Sequence, residues 1–393
     1  MLILSSNDFE KYNISDFPQR KYKIFDDKVL LFLNDLSKII LNNKDCRAFP
    51  DLITFGFFCR KSNLLKLKNF YRDELDYRHG FGLALHIAPS NIPINFAFSF
   101  VFGILAGNSN LIRLPSKHFM QCELFLTLLS NTELKKKHYE VIKSLVFFNS
   151  EHSSKKLIEL INNIDVLVVW GGDQTVKHFK LHDKKMSCKE LYFPNKVSSL
   201  LIDTVSFIEH NKKNQFMKAF FNDTYLVDQN ACSSPTNIFW LGNKKCILTA
   251  QELFIKELAL YLDKYDDIPS SSIIDKHLAV MKAIQIHQKP IKVKKQSNRI
   301  WYSYDLNINP ENYRLGIFNF INIKSLRDIK ELLRPNEQTL TYFGFDKNKI
   351  KLELEKNSII FDRVVPVGSA LDLNVIWDGI DILRHISKRI SYQ

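Results

Sequence analysis

The stretch that decides the fold is "GFGLALHIAPSNIPINFAFSFVFGILAGNSNLIRLPSK", Gly80–Lys117. Its first ten residues, "GFGLALHIAP" (80–89), form a short apolar run between a glycine and a proline, which reads as a buried strand. Asn91 with Pro93 marks a helix start, since asparagine caps and proline fits the first turn. The apolar run Ile92–Gly107 is short for a membrane span and contains Pro93 and Asn95, so it reads as a buried core helix that stops at Gly107. "NLIRLP" (110–115) is a second strand, and Ser116 caps a third element, "KHFMQCELFLTLLS".

The alternation continues downstream. "SLVFFN" (144–149), "DVLVVW" (165–170) and "SSLLID" (198–203) read as strands, separated by helical patterns at 153–163 and 171–180. Short apolar strands alternating with amphipathic helices predict a parallel α/β sheet, with ligands beyond the carboxyl ends of its strands. After "LLID" a helix near 211–226 leads to "DQNACSSPTNIFWLG" (228–242), and a further helix covers about 250–264. Pro269, three serines and "KPIKVKKQ" fall in the least patterned part, 265–300. "YRLGIFNFIN" (313–322), "TLTYFGF" (339–345) and "NSIIFDRVVPVG" (357–368) then alternate again. The expected organisation is a helical amino-terminal arm over 1–78, a dinucleotide-binding domain over 79–205, a catalytic domain over 206–365, and a segment over 366–393 that packs back on the core.

Composition narrows the class. With 393 residues, 45% of them hydrophobic and 25% charged, the chain is an ordinary globular protein large enough for two lobes. The formal net charge of +13 favours anionic partners, among them nucleic acids, membrane surfaces, nucleotide cofactors and coenzyme A, and does not choose between them. Its lysines are scattered and no nucleic-acid-binding motif accompanies them. Six cysteines without a CxxC pair argue against a zinc site and a disulfide framework, and for a reducing cytoplasm. The start, "MLILSSNDFEKYN", lacks the pattern of a signal peptide. No metal and no membrane span are expected.

Four features carry possible chemistry. Asn91, between a strand end and a helix start, is either an oxyanion donor or a plain cap. Gly171 and Gly172 in "WGGDQTV" either let a pyrophosphate approach the backbone or make an ordinary βα loop, and the GxGxxG fingerprint is absent. Arg113, Ser116 and Lys117 in "IRLPSK" either hold a ribose 2′-phosphate or decorate a proline turn. Cys232 is either a small corner residue or a nucleophile.

Taken in order, the segments "IAPSNIPINFAFSFVFGILAGNSNLIRLPSK" (87–117), "VVWGGDQTV" (168–176), "DQNACSSP" (228–235) and "DRVVPVGSALDLNVIWDGIDILRHISKRI" (362–390) resemble the aldehyde dehydrogenase superfamily. Within it they are most similar to the LuxC family of acyl-CoA (fatty acid) reductases, over roughly 75–393. The resemblance implies an aldehyde-dehydrogenase-like α/β fold with two α/β lobes, one holding a nucleotide-binding parallel sheet and the other the catalytic cysteine. It implies Cys232 as nucleophile, with the Asn91 amide and the Cys232 N–H as oxyanion donors. Arg113, Ser116, Lys117, Gly171 and Gly172 would hold NADPH, the expected cofactor over NADH. The implied reaction reduces an acyl-CoA, or a thioester on an acyl carrier protein or partner ligase, to a fatty aldehyde, and a homo-oligomer is implied.

Departures from the superfamily sharpen the chemistry. Tyr192 in "LYFPNKVSSLLID" stands where hydrolytic relatives carry a glutamate, which disfavours release of an acid. Glu337, Gln338 and Thr339 are candidates for the later glutamate beside the nicotinamide ribose. Leu114 replaces the lysine of the Lys-Pro-Ser strand end. Trp377 and Asp378 fit structural roles as well as functional ones. Two other activities use the same residues: a cysteine acyltransferase without reduction, and a non-catalytic scaffold for acyl carriers.

Overall fold

The structure is a computed structural model that describes residues 1–13, 17, 22–265, 268, 270–287, 290–304 and 314–392. Pro269 and Tyr313 of the sequence reading lie outside the described residues. By its contacts the chain divides into two compact units, Met1–Pro194 with Leu373–Gln393, and Asn195–Asp372.

In the first unit the strands are β1 (Leu2–Leu4), β2 (Arg78–Gly80), β3 (Leu83–Ile87), β4 (Ser109–Arg113), β5 (Leu145–Phe148), β6 (Val166–Trp170) and β7 (Lys189–Phe193). All but β2 form one parallel sheet in the order β1-β5-β4-β3-β6-β7. From β3 the chain steps outward to β4 and β5, then returns to the opposite side of β3 for β6 and β7. The direction therefore reverses between β3 and β6, and the crevice at their carboxyl ends is where such sheets bind ligands.

Strands β3 to β6 are buried along their whole length, because helices cover both faces. The helix Asn95–Leu105 is buried from Phe96 to Leu105, as its all-round apolar sequence demands. Its outer face meets the amino-terminal helices, where Phe98 packs on Phe55 with ring centroids 5.1 Å apart, and the helix Met120–Leu129, where Phe96 packs on Phe125 at 5.4 Å. Residues of the helices Asp27–Asn42 and Pro50–Phe58 thus belong to the same core as the sheet. The helix ends before Gly107, whose φ of +86° and close approach to the Tyr22 carbonyl admit no side chain. The carboxyl-terminal strand Ser387–Arg389 pairs antiparallel with β2.

A buried polar chain underlies the helix. Asn110 Oδ1 can only accept, so it takes the Nε2–H of His86 at 2.8 Å, and His86 Nδ1 then accepts the Ser99 hydroxyl at 2.7 Å. Ser99 in turn accepts the indole N–H of Trp170 at 2.9 Å. Burial lowers the His86 imidazole to about 4, so it stays neutral.

The second unit contains β8 (Val197–Asp203), β9 (Pro235–Leu241), β10 (Val293–Lys295), β11 (Trp301–Ser303), β12 (Ile317–Ile323), β13 (Glu337–Phe343) and β14 (Arg363–Pro366). Their order is β10-β11-β12-β9-β8-β13-β14, parallel except for the antiparallel edge pair β10–β11. "SSLLID" is an interior strand of this sheet, flanked by β9 and β13, and not a strand of the first one. The link Pro194–Lys196 is enough to change sheets, and Leu200, Leu201 and Ile202 are fully buried there. The units consequently part at 194/195 and 372/373, where the sequence reading has 205/206 and 365/366.

Candidate active site

Cys232 sits in the second unit, in the turn that feeds β9. The helix Lys213–Thr224 and the short 3-10 turn Tyr225–Val227 lead into Asp228 and Gln229, whose φ values of 50° and 57° are left-handed. Two consecutive non-glycine residues in that region need external support. Gln229 supplies it with its buried side-chain amide. Nε2 donates to the carbonyls of Pro235 (2.9 Å) and Ile317 (3.1 Å), and Oε1 accepts the N–H groups of Gly316 (3.0 Å) and Ile317 (3.3 Å). Ala231 to Ser234 then form a turn closed by Ser234 N–H to Ala231 C=O at 2.9 Å, with half-buried Cys232 at its second position.

A second clamp acts on the cysteine itself. Ser198 on β8 donates its hydroxyl to the Cys232 carbonyl at 2.6 Å and accepts the Thr339 N–H at 3.1 Å. That amide lies where the β8–β13 register breaks, between Glu337 and Leu340, so Ser198 also fills an irregularity of the ladder. Around it the amino ends of β8, β9 and β13 carry a buried polar layer that includes Ser199, Thr236, Asn237, Glu337 and Gln338. Glu337 is only 6% exposed, and burial pushes its carboxyl up to about 7. Such a group can hold a proton near neutral pH.

Four of the other thiols are held protonated by their burial. Burial pushes Cys122 up to about 12 and Cys188 up to about 11, and raises Cys46 and Cys59.

In the first unit, Asn91 lies half-buried in the turn after β3, beside the reversal between β3 and β6. It does not cap the following helix, which begins at Asn95 behind Ile94. The turn is pinned from below, where the Cys122 thiol donates to the Pro93 carbonyl at 3.0 Å. Gly171 and Gly172 follow β6 at the same crevice. Gly171 N–H donates to Phe193 C=O at 3.3 Å, and a Cβ at this position would meet Thr175 at 2.9 Å. Gly172 starts the helix Asp173–Lys180.

Arg113, Ser116 and Lys117 share one cavity of about 690 Å³ at the carboxyl ends of β4 and β5. Arg113 is buried and committed: Nε donates to Ser150 C=O at 2.7 Å and a terminal nitrogen to Ser116 Oγ at 2.8 Å. It therefore builds the cavity wall. Ser116 does not cap the next helix, which begins at Met120 behind Phe119, because its oxygen is held by Arg113. That bond occupies the oxygen as acceptor and leaves the hydroxyl proton for another partner. Lys117 is exposed, with its ammonium 5.5 Å from the Phe119 ring centroid.

Sequence reasoning missed Glu151, His152 and His178, which line the same cavity. His178 Nε2 donates to the His152 carbonyl at 3.1 Å, and burial lowers the His152 imidazole to about 4. A pattern of strand ends could have flagged Glu151 and His152, since they lie in the loop just beyond β5. Ser198 and Gln229 carried no such signal.

Tyr192 lies on β7 with its hydroxyl donating to Glu190. Gln338 and Thr339 are buried within β13 beside Glu337. Trp377 packs partly against the first unit's core, and Asp378 has a left-handed φ of 49°.

The family model of acyl-CoA reductase (LuxC) matches residues 63–389. The chain belongs to the LuxC family. Among LuxC relatives, the long-chain acyl-protein thioester reductase of Vibrio harveyi is 24% identical over 281 residues, covering 68% of this chain and 55% of that protein. The enzyme of the same name from Aliivibrio fischeri is 21% identical over 326 residues, covering 79% of this chain and 64% of that protein. This chain thus spans less than two thirds of the length of these curated relatives. The fold is that of aldehyde dehydrogenases: the glyceraldehyde-3-phosphate dehydrogenase GapN of Methanocaldococcus jannaschii, complexed with NADP, aligns with a TM-score of 0.59 at 15% identity, over 92% of this chain and 86% of that one. No helix among the described residues is long and apolar enough to cross a membrane.

Proposed function

We propose that this LuxC-family chain reduces an acyl thioester to an aldehyde through an acyl-cysteine on Cys232. The observation that carries the reading is the Cys232 turn, held by Ser198 and Gln229, within a LuxC-type aldehyde-dehydrogenase fold. The Cys232 thiolate adds to the thioester carbonyl carbon, the bond to the donor sulfur breaks, and the acyl group passes to Cys232. The donor leaves as a thiolate and takes a proton from water or a buried acid such as Glu337. The Asn91 amide and the Cys232 N–H stabilise the oxyanion at each tetrahedral stage. A reduced nicotinamide, which Ser116, Lys117, Gly171 and Gly172 would hold, would supply the hydride that turns the acyl group into an aldehyde. Cys232 is then released as thiolate when its carbon–sulfur bond breaks.

The cavity chemistry fits NADPH. The Ser116 hydroxyl and the Lys117 ammonium suit a ribose 2′-phosphate. Gly171 and Gly172 give backbone room for a pyrophosphate at the β3–β6 crevice. Tyr192 in place of a carboxylate supports reduction over hydrolysis to an acid. The acyl donor is acyl-CoA or an acylated protein such as a carrier or ligase. No disulfide joins the six cysteines, which suits a reducing cytoplasm.

Purified protein mixed with NADPH and a series of acyl-CoAs tests this. Loss of NADPH absorbance with aldehyde formation, abolished in Cys232→Ala and reduced about a hundredfold in Asn91→Ala, is the expected result. Acyl transfer without NADPH oxidation would identify an acyltransferase. Neither reaction, with acylated proteins also inert, would leave a scaffold.

A further inference from the structure

The amino-terminal strand β1 leads into the large cavity of the first unit. The family model begins at residue 63, so β1 and the helix Ser6–Lys11 lie outside the matched part of the chain. They nevertheless extend its parallel sheet. β1 pairs with β5, Leu4 opposite Phe148, and the Leu4 carbonyl accepts the Asn149 N–H at 3.2 Å. Two side chains hold the segment down. Buried Phe9 stacks on Phe148 with ring centroids 4.0 Å apart, and Glu10 accepts the Ser154 hydroxyl at 2.6 Å.

This docking brings Ser6 to the cavity of about 690 Å³ that Arg113, Ser116 and Lys117 also line. The cavity lies over the carboxyl ends of three neighbouring strands, in the order β1-β5-β4. β4 leads to Ser116 and Lys117, β5 to Asn149 and Ser150, and β1 to Ser6. Two strand spacings, about 10 Å, separate the β1 and β4 ends. β1 therefore closes the flank that a sheet ending at β5 would leave open, opposite the lysine.

The wall is an edge strand held by few groups. Leu2 and Ile3 are 45% and 44% exposed, which places the segment among the first parts of the unit to open. A ligand that meets this wall only when it is docked favours the docked state, and docking strengthens the ligand by the same factor.

We propose that the segment Leu2–Lys11 is a working wall of the cofactor cavity, so that its docking on β5 and nucleotide binding reinforce each other. The inference rests on the NADPH reading of that cavity.

Hydrogen–deuterium exchange on the full chain, with and without saturating NADPH, measures the coupling. The expected result is slower amide exchange over Leu2–Lys11 when NADPH is bound. Calorimetric titration with NADPH measures the converse. Phe9→Asp loses the stack on Phe148, and Ser6→Glu places a carboxylate in the wall at an exposed position; each weakens NADPH binding about tenfold. Circular dichroism melting confirms that the variants are folded. Should Phe9→Asp fail to fold, Ser6→Glu and the exchange measurement decide. Exchange over Leu2–Lys11 that bound NADPH leaves unchanged overturns the inference, as does a Ser6→Glu chain that binds NADPH like the wild type. Lys117→Glu separates this failure from that of the underlying reading. Undiminished NADPH binding by Lys117→Glu would mean that the cavity is not the cofactor site, and the inference falls with it. Weakened binding there, with Ser6→Glu unaffected, strikes out the wall alone.

Discussion

The Ser198 hydroxyl donates to the Cys232 carbonyl at 2.6 Å while accepting the Thr339 N–H at 3.1 Å, so one buried side chain ties the cysteine turn to β8 and β13. Ser198→Ala leaves a carbonyl and an amide without these partners, a loss of about 1–3 kcal/mol. It also lets the turn move by fractions of an ångström, which lowers kcat/KM for acyl-CoA reduction by about ten- to a hundredfold. Steady-state kinetics beside thermal unfolding separates the two effects. Full activity at reduced stability would remove Ser198 from the positioning role.

Gln229 anchors the same turn from the other side, through four bonds to backbone groups of β9 and the segment entering β12. Gln229→Ala strips partners from buried amides and carbonyls and releases two strained residues, so it destabilises the protein by about 2–4 kcal/mol. Denaturant midpoints check this. Gln229→Glu serves as the companion variant, because it keeps the size but replaces the donor that the Pro235 and Ile317 carbonyls need.

In the cavity proposed to take NADPH, Arg113 is committed to Ser150 and Ser116, which leaves Lys117 as the adaptable cation. Lys117→Glu is expected to raise KM for NADPH about tenfold or more and to leave KM for NADH nearly unchanged. Equal effects on the two cofactors would place the 2′-phosphate elsewhere.

Two buried groups give opposite pH dependences. His86 has its pKa lowered by burial from 6.5 to about 4, so its contribution is present above pH 6.5 and is lost as pH falls through 4. Glu337 has its pKa raised by burial from 4.5 to about 7, so its contribution is present below pH 4.5 and is lost as pH rises through 7. Glu337→Gln should therefore flatten the decline of stability between pH 5 and pH 8, an effect of at most about 3 kcal/mol. Chemical denaturation across that range measures it; an unchanged profile would mean that Glu337 is ionised in the folded protein.

Much of this was legible in the sequence. The strand–helix–strand reading of Gly80–Lys117 corresponds to β3, the buried helix and β4, because apolar runs of those lengths have few other ways to be buried. The glycine stop at Gly107 was equally plain. Strand β8 was misplaced because a buried parallel strand looks the same in either sheet; only pairing distinguishes them. Ser116 looked like a cap because local sequence cannot show Arg113 reaching it across the turn. Ser198 and Gln229 were invisible for a related reason, since their partners lie 34 and 88 residues away. Cys232 itself could be singled out only through family resemblance, as a lone cysteine carries no pattern.

The most direct measurement is intact-protein mass spectrometry after incubation with a long-chain acyl-CoA in the absence of NADPH, followed by peptide mapping. The account predicts a single acyl adduct on Cys232, absent in Cys232→Ala, that is discharged as free aldehyde when NADPH is added. An adduct on another residue, or one that NADPH leaves in place, would contradict it.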